Sequence, residues 1–389
     1  MERENILNSD QNICLHVDSE SFTGAIIPPI YGNSLFTFNS YEDYVLGETN
    51  QQNKCVYWRG TNPTVEIAEK KLAALERGDT CKCFASGMAA ITAAIFNSVK
   101  SGDHVLSVGN IYQSTDELLN YLQKFGVEHS TVFSVHIDDI RNAIRPNTSL
   151  IYIECPTDMN LQLVPLKKLA SLAKDNGIRT IVDNTWATPL FQKPLIYGID
   201  IVVHSASKYL GGHSDLVGGA IITSTEIMKT LFKKEYLLFG SSMGPYEASL
   251  LLRGLQTLPI RMKALQDSTM KIAQFLDKHP AIKRVHYPGL GQKQFSNETK
   301  HQLTGFSSLL TFELKNADHN AVKSVINKVK VFKIGVSWGG LESLIITPNL
   351  GHNEEELKKK NINPHIIRLS IGMEPSEDLI NDLRNALEQ

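Results

Sequence analysis

Residues 179–208 read RTIVDNTWATPLFQKPLIYGIDIVVHSASK. Two short apolar runs, RTIVD and DIVVH, each lead into a polar cluster. The first closes on Asp183, Asn184 and Thr185; the second runs into Ser205, Ala206, Ser207 and Lys208. Runs this short and rich in Ile and Val read as buried strands. Outward from them, CKCFASG (81–87), HVLSVGN (104–110) and SLIYIECP (149–156) have the same character. DELLNYLQKFG (116–126) and LKKLASLAKDNG (166–177) read as helices, the second capped at Gly177. This strand–helix alternation predicts an α/β fold with a mainly parallel sheet and helices on both faces.

TVEIAEKKLAALER (64–77) has helical periodicity. Residues 1–60 are polar and turn-rich, with Gly24, Pro28, Pro29 and Asn33, and read as an extended N-terminal arm. Residues 61–243 form the expected large domain. Near Gly244 the pattern changes. PYEASLLLRGLQ (245–256) and RMKALQDSTMKIAQFLDKH (261–279) read as two long helices. Strand-like SSLLTFEL (307–314), a helix around HNAVKSVINKV (319–329) and strands near VSWGG (336–340) and HIIRLSIG (365–372) follow. Residues 244–389 are therefore predicted to form a smaller α+β domain. NEEELKKK (353–360) reads as a solvated loop or helix end.

The 389 residues are 42% hydrophobic and 21% charged, which is soluble globular composition and room for two or three domains. A net charge of −2 gives no electrostatic case for nucleic acid or an acidic membrane. Five cysteines (Cys14, Cys55, Cys81, Cys83, Cys155) are too few and odd in number for a secreted disulfide framework. The C-x-C at Cys81 and Cys83 reads as a strand with alternating small residues, and no metal site is expected. The polar N-terminus lacks the apolar stretch of a signal peptide, and no run approaches the roughly 18–20 apolar residues of a spanning helix. A cytoplasmic protein is expected.

A parallel α/β sheet gathers function at the carboxyl ends of its strands. Asp183 and Lys208, at the ends of neighbouring strands, would face one crevice. Upstream, FASGMAA places Ser86, Gly87 and Met88 after a strand and before a helix, where free N–H groups suit a phosphate. Pyridoxal phosphate asks for these groups: an amine for its aldehyde, a carboxylate for its pyridine nitrogen, and N–H and hydroxyl donors for its phosphate. Ser205 and Ser207, on one face of an extended segment, could add such donors. Spacing alone nevertheless leaves the cofactor open.

HSASKYLGGHSDLVGGAI (204–221) resembles the Cys/Met-metabolism family of pyridoxal phosphate enzymes, which includes cystathionine β-lyase, cystathionine γ-lyase, cystathionine γ-synthase and methionine γ-lyase. GAIIPPIYGNSLF, YWRGTNPT, FASGMAAI, IVDNTW, LRGLQTLPIRM, SWGGLESLI and IIRLSIG resemble family segments in family order, over residues 24–389. The resemblance implies an aspartate-aminotransferase-like fold of type I. It implies that Lys208 carries the cofactor as a Schiff base and then shuttles protons, and that Asp183 pairs with the pyridine nitrogen. Ser86, Gly87, Met88, Ser205 and Ser207 would hold the phosphate. Tyr57 and Arg59 would reach the phosphate of a neighbouring subunit, so that a complete site needs a homodimer, within an expected homotetramer. Tyr112 would stack on the ring and serve with Lys208 and Tyr57 in catalysis. Ser337 and Arg368 would bind the substrate α-carboxylate, a task suited to the planar guanidinium.

The sequence departs from the family pattern at three places. Gln113 and Ser114 follow the stacking tyrosine where Gly-Gly or Gly-Cys is common, lengthening side chains near the distal end of the substrate. In ECPTDM (154–159), Asp158 replaces an asparagine that usually sits near the ring hydroxyl; a carboxylate there would repel that oxygen unless protonated, or Asn160 would take its place. Val336 precedes Ser337 where cystathionine-handling relatives often carry Glu or Tyr, favouring a less polar substituent. Trp338 and the DNTWA segment resemble the β-lyase branch. The expected reaction is cleavage of a carbon–sulfur bond of a small amino acid by β- or γ-elimination. Alternatives are γ-replacement on an activated homoserine, and a specialised or non-catalytic relative.

Overall fold

The computed structural model describes residues 9–16, 24–291, 299–315 and 317–388. The expected arm thus lies partly outside the described residues, at 1–8 and 17–23. Its described part carries two helices, α1 (Asp10–Leu15) and α2 (Tyr41–Thr49). α1 is packed rather than extended: Cys14 is fully buried, and the buried Lys71 amine donates to Ile13 O, Cys14 O and His16 O at 2.6–3.0 Å. That amine closes carbonyls that a helix end otherwise leaves open.

The large sheet has the order β1-β7-β6-β5-β4-β2-β3. Its strands are β1 (Thr80–Phe84), β2 (His104–Val108), β3 (Glu128–Val132), β4 (Thr148–Glu154), β5 (Arg179–Asp183), β6 (Ile201–Ser205) and β7 (Gly219–Thr223). Pairs among β2 to β6 are parallel, and β7 runs antiparallel to both β1 and β6. The five strands predicted from apolar runs are β1, β2, β4, β5 and β6. β3, with the sequence EHSTV, was not expected: it lies at the sheet edge and carries no apolar run. β7 is buried along its length, and it is short and flanked by glycine. The C-x-C lies in β1, and among the described residues no group of His, Cys, Asp or Glu could hold a metal.

Helices α3 (Pro63–Glu76), α4 (Gly87–Ser98), α5 (Gln113–Leu122), α6 (Ile137–Ala143), α7 (Leu166–Asp175) and α8 (Thr225–Leu231) surround this sheet. α7 stops where the sequence indicated: Gly177 is left-handed (φ 67°) and Ile178 N–H bonds back to Ala173 O at 2.9 Å.

The two helices expected beyond Gly244 are one, α9 (Pro245–Lys278), running through Pro259. Proline removes one ladder bond, and the neighbouring Gly254 carbonyl accepts side-chain donors from Thr257 (3.1 Å) and Arg261 (2.8 Å). α9 ties the molecule together. Leu251, Leu255 and Leu258 pack with Leu72 of α3, while Ile272 and Leu276 join the core of the second sheet around Phe312. No helix of the described residues is long and apolar enough to cross a membrane.

The second sheet has the order β10-β11-β12-β9-β8, with β8 (Ile282–His286), β9 (Leu309–Leu314), β10 (Lys333–Ile334), β11 (Leu344–Ile346) and β12 (Ile366–Ser370). α10 (His319–Lys328), α11 (Glu354–Lys359) and α12 (Ser376–Leu387) complete this part. VSWGG is a loop rather than the expected strand, because Ser337 (φ 77°) and Gly339 (φ 85°) are left-handed. The charge run at 353–360 contains the short α11.

Lys82 of β1 and Glu69 of α3 form a buried ion pair at 2.8 Å, and Glu69 also accepts the Cys83 N–H at 3.0 Å. Removing one partner strands the other charge. Lys82→Met is expected to lower stability by about 3–5 kcal/mol, read as a lower urea midpoint, because an unpaired buried carboxylate costs that much. An unchanged midpoint would show that Glu69 does not need its cation.

Candidate active site

The carboxyl ends of β4, β5 and β6 bring Glu154, Asp183 and Ser205 to one edge of the large sheet, with Asp183 beside Val203 in the parallel register. Thr185 fixes this edge. Its N–H and hydroxyl both donate to Asp183 Oδ1, at 2.9 and 2.5 Å, while its hydroxyl oxygen accepts the Ser205 N–H at 2.8 Å. Among the described residues, Asp183 Oδ2 accepts no hydrogen bond and is available to a further donor. Burial raises the Asp183 pKa, opposed by the Thr185 bonds and by His204 and Lys208.

The N-terminus of α4 presses on the end of β6. A Cβ added to Gly87 would lie 2.9 Å from Ser205 Cβ, and one on Gly219 would lie 2.2 Å from Ser86 O. Only glycine permits this approach. Ser86 caps the helix, its hydroxyl accepting the Ala89 N–H at 3.0 Å. Among the described residues the Gly87 and Met88 N–H groups have no partner, so they form a cradle for an anion. Ser207, by contrast, turns to the chain: its hydroxyl donates to Gly218 O (3.3 Å) and accepts from Gly218 N–H (3.0 Å).

Lys208 stands at the turn after β6, with its N–H on Ser205 O and its own carbonyl accepting from Gly212 N–H. Its amine donates to Ser337 Oγ at 2.5 Å and lies 5.5 Å from the centre of the Trp338 ring. Burial, then the nearby Arg368 guanidinium, brings its pKa down to about 8, against the pull of Asp183. Arg368, in β12, donates from Nη2 to Ser337 O (3.5 Å), so residues from the second sheet face the amine of the first. Trp338 packs on Tyr209, with ring centres 5.3 Å apart.

Tyr112 precedes α5 and is 49% exposed. Its N–H donates to Glu154 Oε2 at 2.8 Å, a partner that the sequence reading missed. Thr185 was likewise seen only as a residue following a strand. Burial, then the charges of Asp158 and Asp183, push the Glu154 carboxyl well above the usual carboxylate range, against the Tyr112 N–H and Arg368. Asp158 is also raised by burial, and Arg368 opposes this. Asn160 does not take the place of Asp158; its side-chain amide donates to Asn361 O at 3.0 Å. Gln113 turns along its helix to Glu117 (2.9 Å), Ser114 is half-buried behind it, and Val336 is 75% exposed. Tyr57 is 50% exposed with the Arg59 guanidinium 5.5 Å from its ring centre. Among the described residues neither bonds to Lys208, Asp183 or the start of α4.

An amine of lowered pKa, a carboxylate with one free oxygen, and an anion cradle where no Cβ fits are the groups that pyridoxal phosphate requires, so this crevice fits that cofactor. The model of the Cys/Met metabolism PLP-dependent enzymes matches residues 11–388. An L-methionine gamma-lyase of Fusobacterium nucleatum subsp. nucleatum is 38% identical over 373 residues, 94% of each chain. A cystathionine beta-lyase of Bacillus subtilis is also 38% identical, over 94% of this chain and 93% of that one. Among solved structures, one from Campylobacter jejuni, described as an O-acetylhomoserine (thiol)-lyase with N′-pyridoxyl-lysine-5′-monophosphate, superposes with a TM-score of 0.90 at 31% identity, over 98% of this chain and 100% of that one. With its fold and nearly its whole length matched, the chain belongs to the Cys/Met metabolism family of pyridoxal-phosphate-dependent enzymes.

Proposed function

We propose that this enzyme cleaves a carbon–sulfur bond of a sulfur-containing amino acid, such as methionine or cystathionine, by β- or γ-elimination. The observation that carries the reading is the Lys208 amine held between Asp183, Ser337 and Arg368 in a crevice built for the cofactor. Relatives named for this chemistry, at 35–38% identity, support it. Bound pyridoxal phosphate supplies an electron sink for a carbanion at Cα.

The residues of the chain then divide the work. Asp183 Oδ2 holds the pyridine nitrogen protonated. Gly87 and Met88 N–H groups, with Ser86 and Ser205, hold the phosphate; Ser207, expected there from the sequence, has its hydroxyl proton on Gly218 O and joins them only by turning from that carbonyl. Arg368 and Ser337 orient the substrate through its carboxylate. Lys208 takes the proton from Cα, and in a γ-elimination also from Cβ, because burial keeps its amine partly neutral near pH 7.5 (roughly a quarter of molecules for a pKa near 8). Tyr112, fixed through its backbone to Glu154, stands at the mouth of the crevice to lie on the ring and pass a proton to the departing sulfur. Val336 and Trp338 line the approach to the distal end of the substrate.

In this reading a second copy of the chain completes the site through Tyr57 and Arg59, which are exposed and form no bond to their own crevice among the described residues. A γ-replacement of an activated homoserine is the second reading, favoured by the Campylobacter jejuni relative.

A panel of methionine, cystathionine, homocysteine and O-acetylhomoserine with a thiol separates the two. Keto acid and ammonia are expected to dominate; thioether as the main product would support replacement. Because only the neutral amine attacks an aldehyde, the rate of cofactor capture by apoprotein is expected to rise about tenfold per pH unit below pH 8 and to level above it. A pH-independent rate, or capture surviving in Lys208→Ala, contradicts the assignment. Mixing inactive Arg59→Ala with inactive Lys208→Ala is expected to restore about a quarter of normal activity, since random exchange of a two-fold dimer leaves one intact site in half of the molecules. No recovery after verified exchange would place Arg59 in the site of its own chain.

A further inference from the structure

The segment from Glu154 to Asn160 links the two halves of the crevice. Glu154 accepts the Tyr112 N–H, and Asp158 N–H donates to Asn110 O at 2.9 Å, so one end is fixed to the approach to α5. At the other end, Met159 O accepts the Thr311 hydroxyl at 2.6 Å, and Asn160 bonds to Asn361 O. Thr311 lies directly opposite Arg368 in the β9–β12 register. These bonds bring Asp158 to the Arg368 side of the crevice. Met159 (φ 58°) and Leu161 (φ 48°) are left-handed without being glycine, a conformation kept only where surrounding bonds dictate it.

The crevice therefore gathers three carboxylates, Glu154, Asp158 and Asp183, around two cations, Arg368 and Lys208. Glu154 is faced by Asp158, Asp183, Tyr152 and Arg368; Asp158 is faced by Glu154 and Arg368; Lys208 faces Asp183 and Arg368. Carboxylates sharing one cation cannot all remain ionised at little cost, and they titrate as a group. A substrate α-carboxylate arriving at Arg368 adds a fourth negative group. If Arg368 is the carboxylate-binding residue proposed above, this charge has to be relieved locally.

We propose that Glu154 and Asp158 belong to the carboxylate-binding apparatus: they hold one proton between them in the free enzyme and take up a second from solvent when the substrate carboxylate docks on Arg368. The proton adds to a carboxylate oxygen of Asp158. The substrate carboxylate arrives ionised and stays so, and the added proton offsets its one negative charge within the crevice. Substrate binding is then linked to pH through a residue that bonds to neither the cofactor amine nor the reacting carbon. The aspartate at 158 creates the linkage, because an uncharged amide there leaves Glu154 alone with its proton.

The test uses holoenzyme and 4-(methylsulfanyl)butanoate, which has the carboxylate and thioether of methionine but no amine to react. Calorimetric titration in two buffers of different ionisation enthalpy near pH 7.5 reads the protons exchanged. Uptake of close to one proton per site is expected, with affinity falling up to tenfold per pH unit as pH rises. Asp158→Asn, with its cofactor absorbance retained as the folding check, is expected to bind with buffer-independent heat and a flat pH profile. Buffer-independent heat in the unmodified enzyme, or uptake persisting in Asp158→Asn, overturns the proposal and leaves the Arg368 assignment standing. Failure of the carboxylate to bind, or undiminished binding by Arg368→Gln, overturns the Arg368 assignment and this inference with it.

Discussion

The parallel pairing of β5 with β6 fixes where every group of the crevice can stand. It sets Asp183 beside Val203 and leaves the residues two positions further along each chain, Thr185 and Ser205, joined through one hydroxyl. That hydroxyl also holds Asp183 Oδ1, so the carboxylate, the strand end and the turn that carries Lys208 move as one body. A shift of one residue in this register would send Asp183 to the opposite face of the sheet. The glycine contacts are the second half of the same constraint. Gly87 and Gly219 let α4 approach until its free N–H groups open beside Ser205. The chemistry is thus held by strand ends and a helix start, elements far more rigid than loops.

Behind this edge lies a buried polar layer. Glu76 accepts from both His204 (2.6 Å) and Asn184 (2.7 Å), and Asn184 exchanges bonds with Gln192. Asn184 and His204 are neighbours in sequence of Asp183 and Ser205, so the network steadies from behind the strand ends that carry the site in front. Alternation along each strand allows this: one residue faces the crevice and the next faces α3. The second sheet contributes by a different route. The loop at 337–339 doubles back through two left-handed residues, and a Cβ on Gly339 would lie 3.1 Å from the Lys208 carbonyl carbon. Ser337 and Trp338 are thereby held against the amine.

Much of this was legible in the sequence where physics is local. Buried parallel strands announce themselves as Ile/Val runs, and β4, β5 and β6 were read from such runs. The ends of those strands gave Asp183 and Lys208 their place. Strands without such runs, such as the polar β3 and the charged β8, depended on neighbours and were not seen. The break expected near Pro259 failed because the helix is buried on both sides of it, through Leu251, Leu255 and Leu258 in one core and Ile272 and Leu276 in the other, a packing that no propensity encodes. Glu154 looked like the last residue of a strand. Its bond to Tyr112 spans 42 residues, and its relation to Arg368 depends on how two sheets meet. Asp158 could be recognised as unusual, but its setting against Arg368 is a property of the fold.

Whether Lys208 bonds the cofactor is read by reducing the pyridoxal-phosphate-loaded protein with borohydride and mapping the peptides by mass spectrometry. A single pyridoxyl adduct on Lys208, in proportion to the cofactor bound, is the expected result. An adduct on another lysine, or none despite bound cofactor, would contradict the account.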